Sequence, residues 1–141
     1  MGEKKHHEEK KHEEMAQEER KQLISGSKWV IATNPDMPAE TLYGLSNDPD
    51  WMIRSAAAKN RNTPKEALKK LAMDSEWQVR NNVAGNPNTP QEILDKLAND
   101  KDWLVRSNVA RNPQAKIETV RKLVEDRKFT VSKSAIESGR V

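Results

Sequence analysis

"NTPKEALKKLAMDSEWQVRNNVAGNP", residues 62–87, is followed without a gap by "NTPQEILDKLANDKDWLVRSNVARNP", residues 88–113. The two stretches follow one plan at a spacing of 26 residues. A fixed period of this length is the mark of a stacked, repeated supersecondary unit. The phase extends outward in both directions, through Asn34, Asn60, Asn86 and Asn112. Leu42, Leu68, Leu94 and Val120 keep it, as do Leu45, Leu71, Leu97 and Leu123. So do Asp48, Asp74, Asp100 and Asp126, then Trp51, Trp77, Trp103 and Phe129, then Ile53, Val79, Val105 and Val131. Prolines hold two further places, Pro35, Pro87 and Pro113 at one and Pro38, Pro64 and Pro90 at the other, with Arg61 and Lys116 as the exceptions.

Each unit reads as two short helices. Thr63 and Thr89, each followed by Pro and then by Glu66 or Glu92, have the spacing of a capping box with Pro at the first helical position. Met37 and Ala115 replace Thr in the outer units, so those ends are expected to fray first. At 100° per residue Ala67, Leu68, Leu71 and Ala72 share one face, and Lys65, Glu66, Lys69 and Lys70 the other. That predicts an amphipathic first helix of about 9 residues, marginal in isolation. The second helix is expected to start at Asp74 or Ser75, both good caps, and to end at Asn86 and Pro87. The connecting loops are expected to be about 3 or 4 residues long.

One such hairpin cannot bury its own apolar face, whereas a stack can. The predicted fold is all-α: a right-handed α-solenoid of about four 26-residue helical hairpins. Its repeats span residues 36–61, 62–87, 88–113 and 114–139, behind a leading half-repeat at 25–35, in a domain of residues 25–141. Trp29 falls four residues out of phase with the other tryptophans and is expected to cover the open end. Residues 1–24 form a charged tail, read as a solvated helix that is mobile or partly disordered.

The absence of cysteine excludes disulfides and thiolate metal sites. All three histidines, His6, His7 and His12, lie in the tail. The repeats therefore hold neither of the usual partners of a nucleophile, and no catalytic, metal or cofactor site is expected. His7, Glu8 and His12 offer only a weak metal grip. No apolar run marks a leader or a membrane span, which predicts a soluble, cytoplasmic protein, read as a monomer. Residues 1–24 and residues 25–100 each sum to −1, whereas residues 101–141 carry 10 basic and 5 acidic side chains, a sum of +5.

The pattern "DxxWxVRxxVAxNPxTPxxxLxxLAxD" resembles the leucine-rich repeat variant family and, more loosely, HEAT-like repeats. The resemblance covers roughly residues 25–138. It implies helix pairs in a right-handed superhelix, one helix of each pair often 3₁₀. Here the period of 26 exceeds the family's usual unit, so both helices are expected to be α. Some members carry a cysteine-ligated iron–sulfur cluster, which this chain has no cysteine to hold.

Three columns are candidates for a site. Arg54, Arg80 and Arg106, with Lys28 in register, face partly inward. They form either a structural ladder with Asp48, Asp74 and Asp100, as the HEAT-like resemblance suggests, or a phosphate-binding stripe; the ladder is preferred because a half-buried guanidinium needs acceptors. The aspartates themselves read as helix caps, beside Asp50, Glu76 and Asp102. Trp51, Trp77 and Trp103 read as inter-unit core or as aromatic anchors of a groove, core being preferred. The leading expectation for function is a non-catalytic scaffold that binds a protein or peptide along its concave face. The candidate residues there are Ser55, Lys59, Gln78, Asn81, Asn82, Leu104, Ser107, Asn108 and Arg111. The alternative is nucleic-acid binding through Arg106, Arg111, Arg121, Lys122, Arg127, Lys128 and Lys133.

Overall fold

The computed structural model describes the backbone of residues 2–141 and the side chains of residues 16–20 and 23–141. The tail histidines and Glu8 lie outside the described side chains. Helix α1 runs unbroken over Gly2–Thr33, so the tail and the leading half-repeat share one helix. Four helix pairs follow: α2 (Ala39–Leu45) with α3 (Trp51–Lys59), α4 (Lys65–Leu71) with α5 (Trp77–Gly85), α6 (Gln91–Leu97) with α7 (Trp103–Arg111), and α8 (Ile117–Val124) with α9 (Phe129–Glu137). Both members of every pair are α-helical and no strand occurs among the described residues, so the chain is an α-solenoid. No described helix is long and apolar enough to cross a membrane.

The apolar stripes meet as the periodicity requires. Leu68, Leu94 and Val120 from the first helices are fully buried, against Val79, Val105 and Val131 from the second. One continuous core runs from Ala58 to Ala135. The main packing passes from α1 to α3, α5, α7 and α9 in turn, so the second helices form a layer of their own. The first helices attach to its outer side, each against its own second helix and the one before.

The helix ends differ from expectation in an instructive way. Pro64 and Pro90 stand just outside α4 and α6 with extended backbone, and neither helix has a side-chain cap. The hydroxyls of Thr63 and Thr89 instead donate backward, to the carbonyls of Ala57 and Val83, the latter at 2.6 Å. Those carbonyls belong to the last turn of the preceding helix, where they also accept the N–H of Asn60 or Asn86. The threonine therefore ends one helix rather than starting the next. The loops are five residues long in most cases, 60–64 and 72–76 for instance, and the first helices correspondingly shorter, at 7 or 8 residues.

Asn60, Asn86 and Asn112 have a role beyond ending a helix. They keep ordinary extended backbone angles and are nearly inaccessible to solvent. The amide nitrogen of Asn86 donates to the carbonyls of Ala58 and Asn60, at 2.8 and 2.9 Å, one unit back. Its Oδ1 accepts the N–H of Asn88. Asn60 repeats this toward Ala32 and Asn34, and Asn112 toward Ala84 and Asn86. Each amide thus spends both its donors and an acceptor inside the stack, which is the condition for burying it without loss. At the far end Ser138 holds the same phase, and the Arg140 guanidinium donates to the carbonyl of Asn112 at 3.3 Å.

Candidate functional site

The surface available to a partner is what remains once the internal ladders are satisfied. Arg54 Nε and Nη2 donate to Asp74 Oδ2 and Oδ1, at 2.7 and 3.2 Å. Arg80 binds Asp100, and Arg106 binds Asp126, in the same two-pronged way. Each Nη1 also donates to the carbonyl of the aspartate six residues earlier, Asp48, Asp74 or Asp100. At the leading end the ammonium of Lys28 meets Asp48 at 2.9 Å. Every rung therefore joins a second helix to the turn of the following unit, 20 residues on. The side chains of Arg80 and Arg106 are under a tenth exposed, so these guanidinium groups cannot serve as a phosphate stripe. Arg106 accordingly leaves the set of candidate nucleic-acid residues.

The aspartates do not cap the second helices either. Each Oδ1 accepts the N–H two residues on, at Asp50, Glu76, Asp102 or Lys128, and so shapes the turn. The cap position belongs to those next residues: Asp50 and Asp102 accept from Met52 and Leu104, at 2.9 Å each. Burial pushes the Asp74 carboxyl up, but the bond from Arg54, the Glu76 N–H and the charges of Arg54 and Arg80 outweigh it and hold it below its ordinary range. Asp48 and Asp126 show the same balance, through Lys28 and Arg106 respectively.

On the second-helix layer several candidate residues turn out to join neighbouring helices. The Asn82 amide donates to the Ser55 carbonyl and hydroxyl, at 3.0 and 2.7 Å. The Asn108 amide donates to the Asn81 carbonyl at 2.9 Å. Gly85 makes room for it, since a Cβ there would stand 2.8 Å from Asn108 Nδ2. Ser107 is buried, its hydroxyl 2.8 Å from that of Ser134, and so is closed to a partner. Lys59, Leu104 and Arg111 are exposed. In the middle of the layer, Gln78 Oε1 and Asn81 Oδ1 are shielded and meet no protein donor. Nothing in the sequence marks those two atoms.

The tryptophans lie at the edge of the core, none of them fully buried. Trp51 and Trp77 are 38% and 37% exposed, and Phe129 is 76% exposed. Trp103 is partly buried against the core, with the Lys128 ammonium 5.0 Å from its ring centre. Each ring stands at the first residue of a second helix. Trp29 is also exposed, and beside Pro35, Ala56, Lys59 and Asn62 it borders a shallow cavity at the leading end instead of sealing the stack. Arg121 and Lys122 project from α8, Arg127 and Lys128 from the turn before α9, Lys133 from α9 and Arg111 from the end of α7. The basic side chains are exposed but divided between both layers.

The leucine rich repeat variant family matches residues 77–102, which run from Trp77 through α6 to Asp102. The resemblance read from the sequence thus holds over one 26-residue period. No curated protein sequence matches the chain.

Proposed function

From a stack of this repeat type, we propose that the chain is a non-catalytic scaffold whose second-helix layer receives an extended protein or peptide segment. The second helices pack directly on one another, and their layer is taken as the concave side. The observation that carries the reading is exposed apolar surface on that layer, at Met52 and Leu104, between polar side chains (Asn82, Asn108 and Ser107) already committed to neighbouring helices. Apolar area open to solvent on a helix layer favours a protein segment over a phosphate backbone.

A second reading, nucleic-acid binding, draws on the +5 sum of residues 101–141 and on exposed Arg111, Arg121, Lys122, Arg127, Lys128 and Lys133. Affinity capture by the full chain separates the two. Capture of protein that withstands nuclease and is lost with Leu104→Glu supports the scaffold. Capture that disappears with nuclease, together with a steep loss of binding to single-stranded nucleic acid as salt rises, supports the alternative.

A further inference from the structure

The row Trp51, Trp77, Trp103 runs beside a second row one residue earlier: Asp50, Glu76, Asp102, Lys128. The only cation over a tryptophan ring among the described residues is Lys128, on Trp103. Register gives this contact a meaning. Lys128 occupies, relative to Trp103, the place that Glu76 occupies relative to Trp51 and Asp102 relative to Trp77, each 25 residues on. At two of the three rings the chain thus has a carboxylate where the third has its own ammonium. The Glu76 carboxylate makes no hydrogen bond or ion pair, and Asp102 commits only Oδ1, to the N–H of Leu104. A part-exposed indole with a carboxylate in the register that elsewhere sets an ammonium over the ring is an environment that suits an added ammonium or guanidinium.

We infer that Trp51 with Glu76, and Trp77 with Asp102, form two in-register sites for the cationic side chains of a basic, extended peptide, and that Lys128 fills the third from within. This rests on the scaffold reading and names the partner's chemistry. Packed helices lie about 8–10 Å apart, and an extended chain rises about 3.3 Å per residue. Neighbouring sites therefore match Arg or Lys at positions i and i+3. Charge follows the same line: the leading ends of α3, α5 and α7 carry Asp50, Glu76 and Asp102, whereas Lys59 and Arg111 lie at the trailing ends. A basic segment is drawn to the tryptophan edge and repelled from the other.

The test is tryptophan fluorescence of the full chain titrated, at moderate salt, with a peptide bearing Arg at every third residue. A peptide of equal composition with its arginines adjacent serves as comparison. The spaced peptide should bind more tightly. Lys128→Glu should open the third site and tighten binding by about 3- to 5-fold, the range of an exposed cation–π contact. Glu76→Lys should supply an internal cation to Trp51 and weaken binding by a similar factor, whereas Glu92→Lys, the same charge change on the opposite layer, should not. Thermal melts of each variant establish that it is folded. Equal affinity for the two peptides, with no response to Lys128→Glu or to Glu76→Lys, overturns the inference. If the peptide then still loses affinity with Leu104→Ser, which removes apolar area without adding charge, the scaffold reading stands without it. If it does not bind at all while single-stranded nucleic acid does, both are wrong.

Discussion

At the scale of the residue, stability concentrates in two polar side chains per unit. Arg80 and Asp100 are both nearly closed to solvent, so each depends on the other for its charge to be tolerable. Arg80→Ala leaves a buried carboxylate and the carbonyl of Asp74 without their donor. We expect a loss of about 3–5 kcal/mol, read as a fall in thermal midpoint; an unchanged midpoint would show the rung to be ornamental. Asn86→Leu keeps the volume but orphans the carbonyls of Ala58 and Asn60. Its cost should be about 1–3 kcal/mol for each group left unpaired, and Asn88→Ala, at an exposed neighbour, should cost far less. The aspartates also set the acid limit. Asp48, Asp74 and Asp126 have folded-state values lowered from normal, so the unfolded chain binds their protons first. Their contribution is complete above the unfolded value of about 3.9 and is lost as pH falls through the lower folded values. Melting points should hold steady from neutral pH to about 5 and decline steeply below about 4.

At the scale of the element, the helices are unequal in what they bury. Helices α4 and α6 each bury three apolar residues, whereas α2 buries Leu42 alone. The cause lies in composition and in how completely the stripe is covered. Thr41 stands where Ala67 and Ile93 stand in later units, and Leu45, in phase with buried Leu71 and Leu97, stays partly exposed. Amide hydrogen exchange should therefore be fastest in α2 among the paired helices and slowest in α5, α6 and α7. Uniform protection across the pairs would contradict this. The expectation that Met37 and Ala115 weaken the outer units through lost caps needs a different cause. Threonine at this place binds the last turn of the helix before it, so what Ala115 forgoes is a tie between α7 and α8.

At the scale of the whole molecule, each unit is anchored to its neighbour by equivalent bonds 20, 26 and 28 residues apart. One full period can therefore be removed without leaving a partner behind. Deleting residues 62–87 joins Arg61 to Asn88, offers Asp100 to Arg54 and returns Asn112 to the carbonyls of Ala58 and Asn60. The shortened chain should remain helical and unfold cooperatively at a lower temperature, having one interface fewer. Removing 25 residues instead should abolish the cooperative transition, because every rung is then out of phase. Circular dichroism during heating distinguishes the two outcomes.

Helix content, the number of units and the buried stripe were all legible in the sequence, because an apolar period of 3.6 nested within one of 26 admits few other solutions. The pairing of arginine with aspartate was legible too, in that a half-buried guanidinium must find acceptors. Which aspartate it would find was settled by the tertiary structure, since the choice between 6 and 20 residues' separation depends on the spacing of stacked units. The same spacing took the threonines from capping and Ser107 from the surface, gave the asparagines two carbonyls each, and left the tryptophans at the edge of the core. Local propensities decide what each segment becomes. The distance between adjacent segments decides which polar atom lies within 3 Å of which, and no single repeat contains that distance.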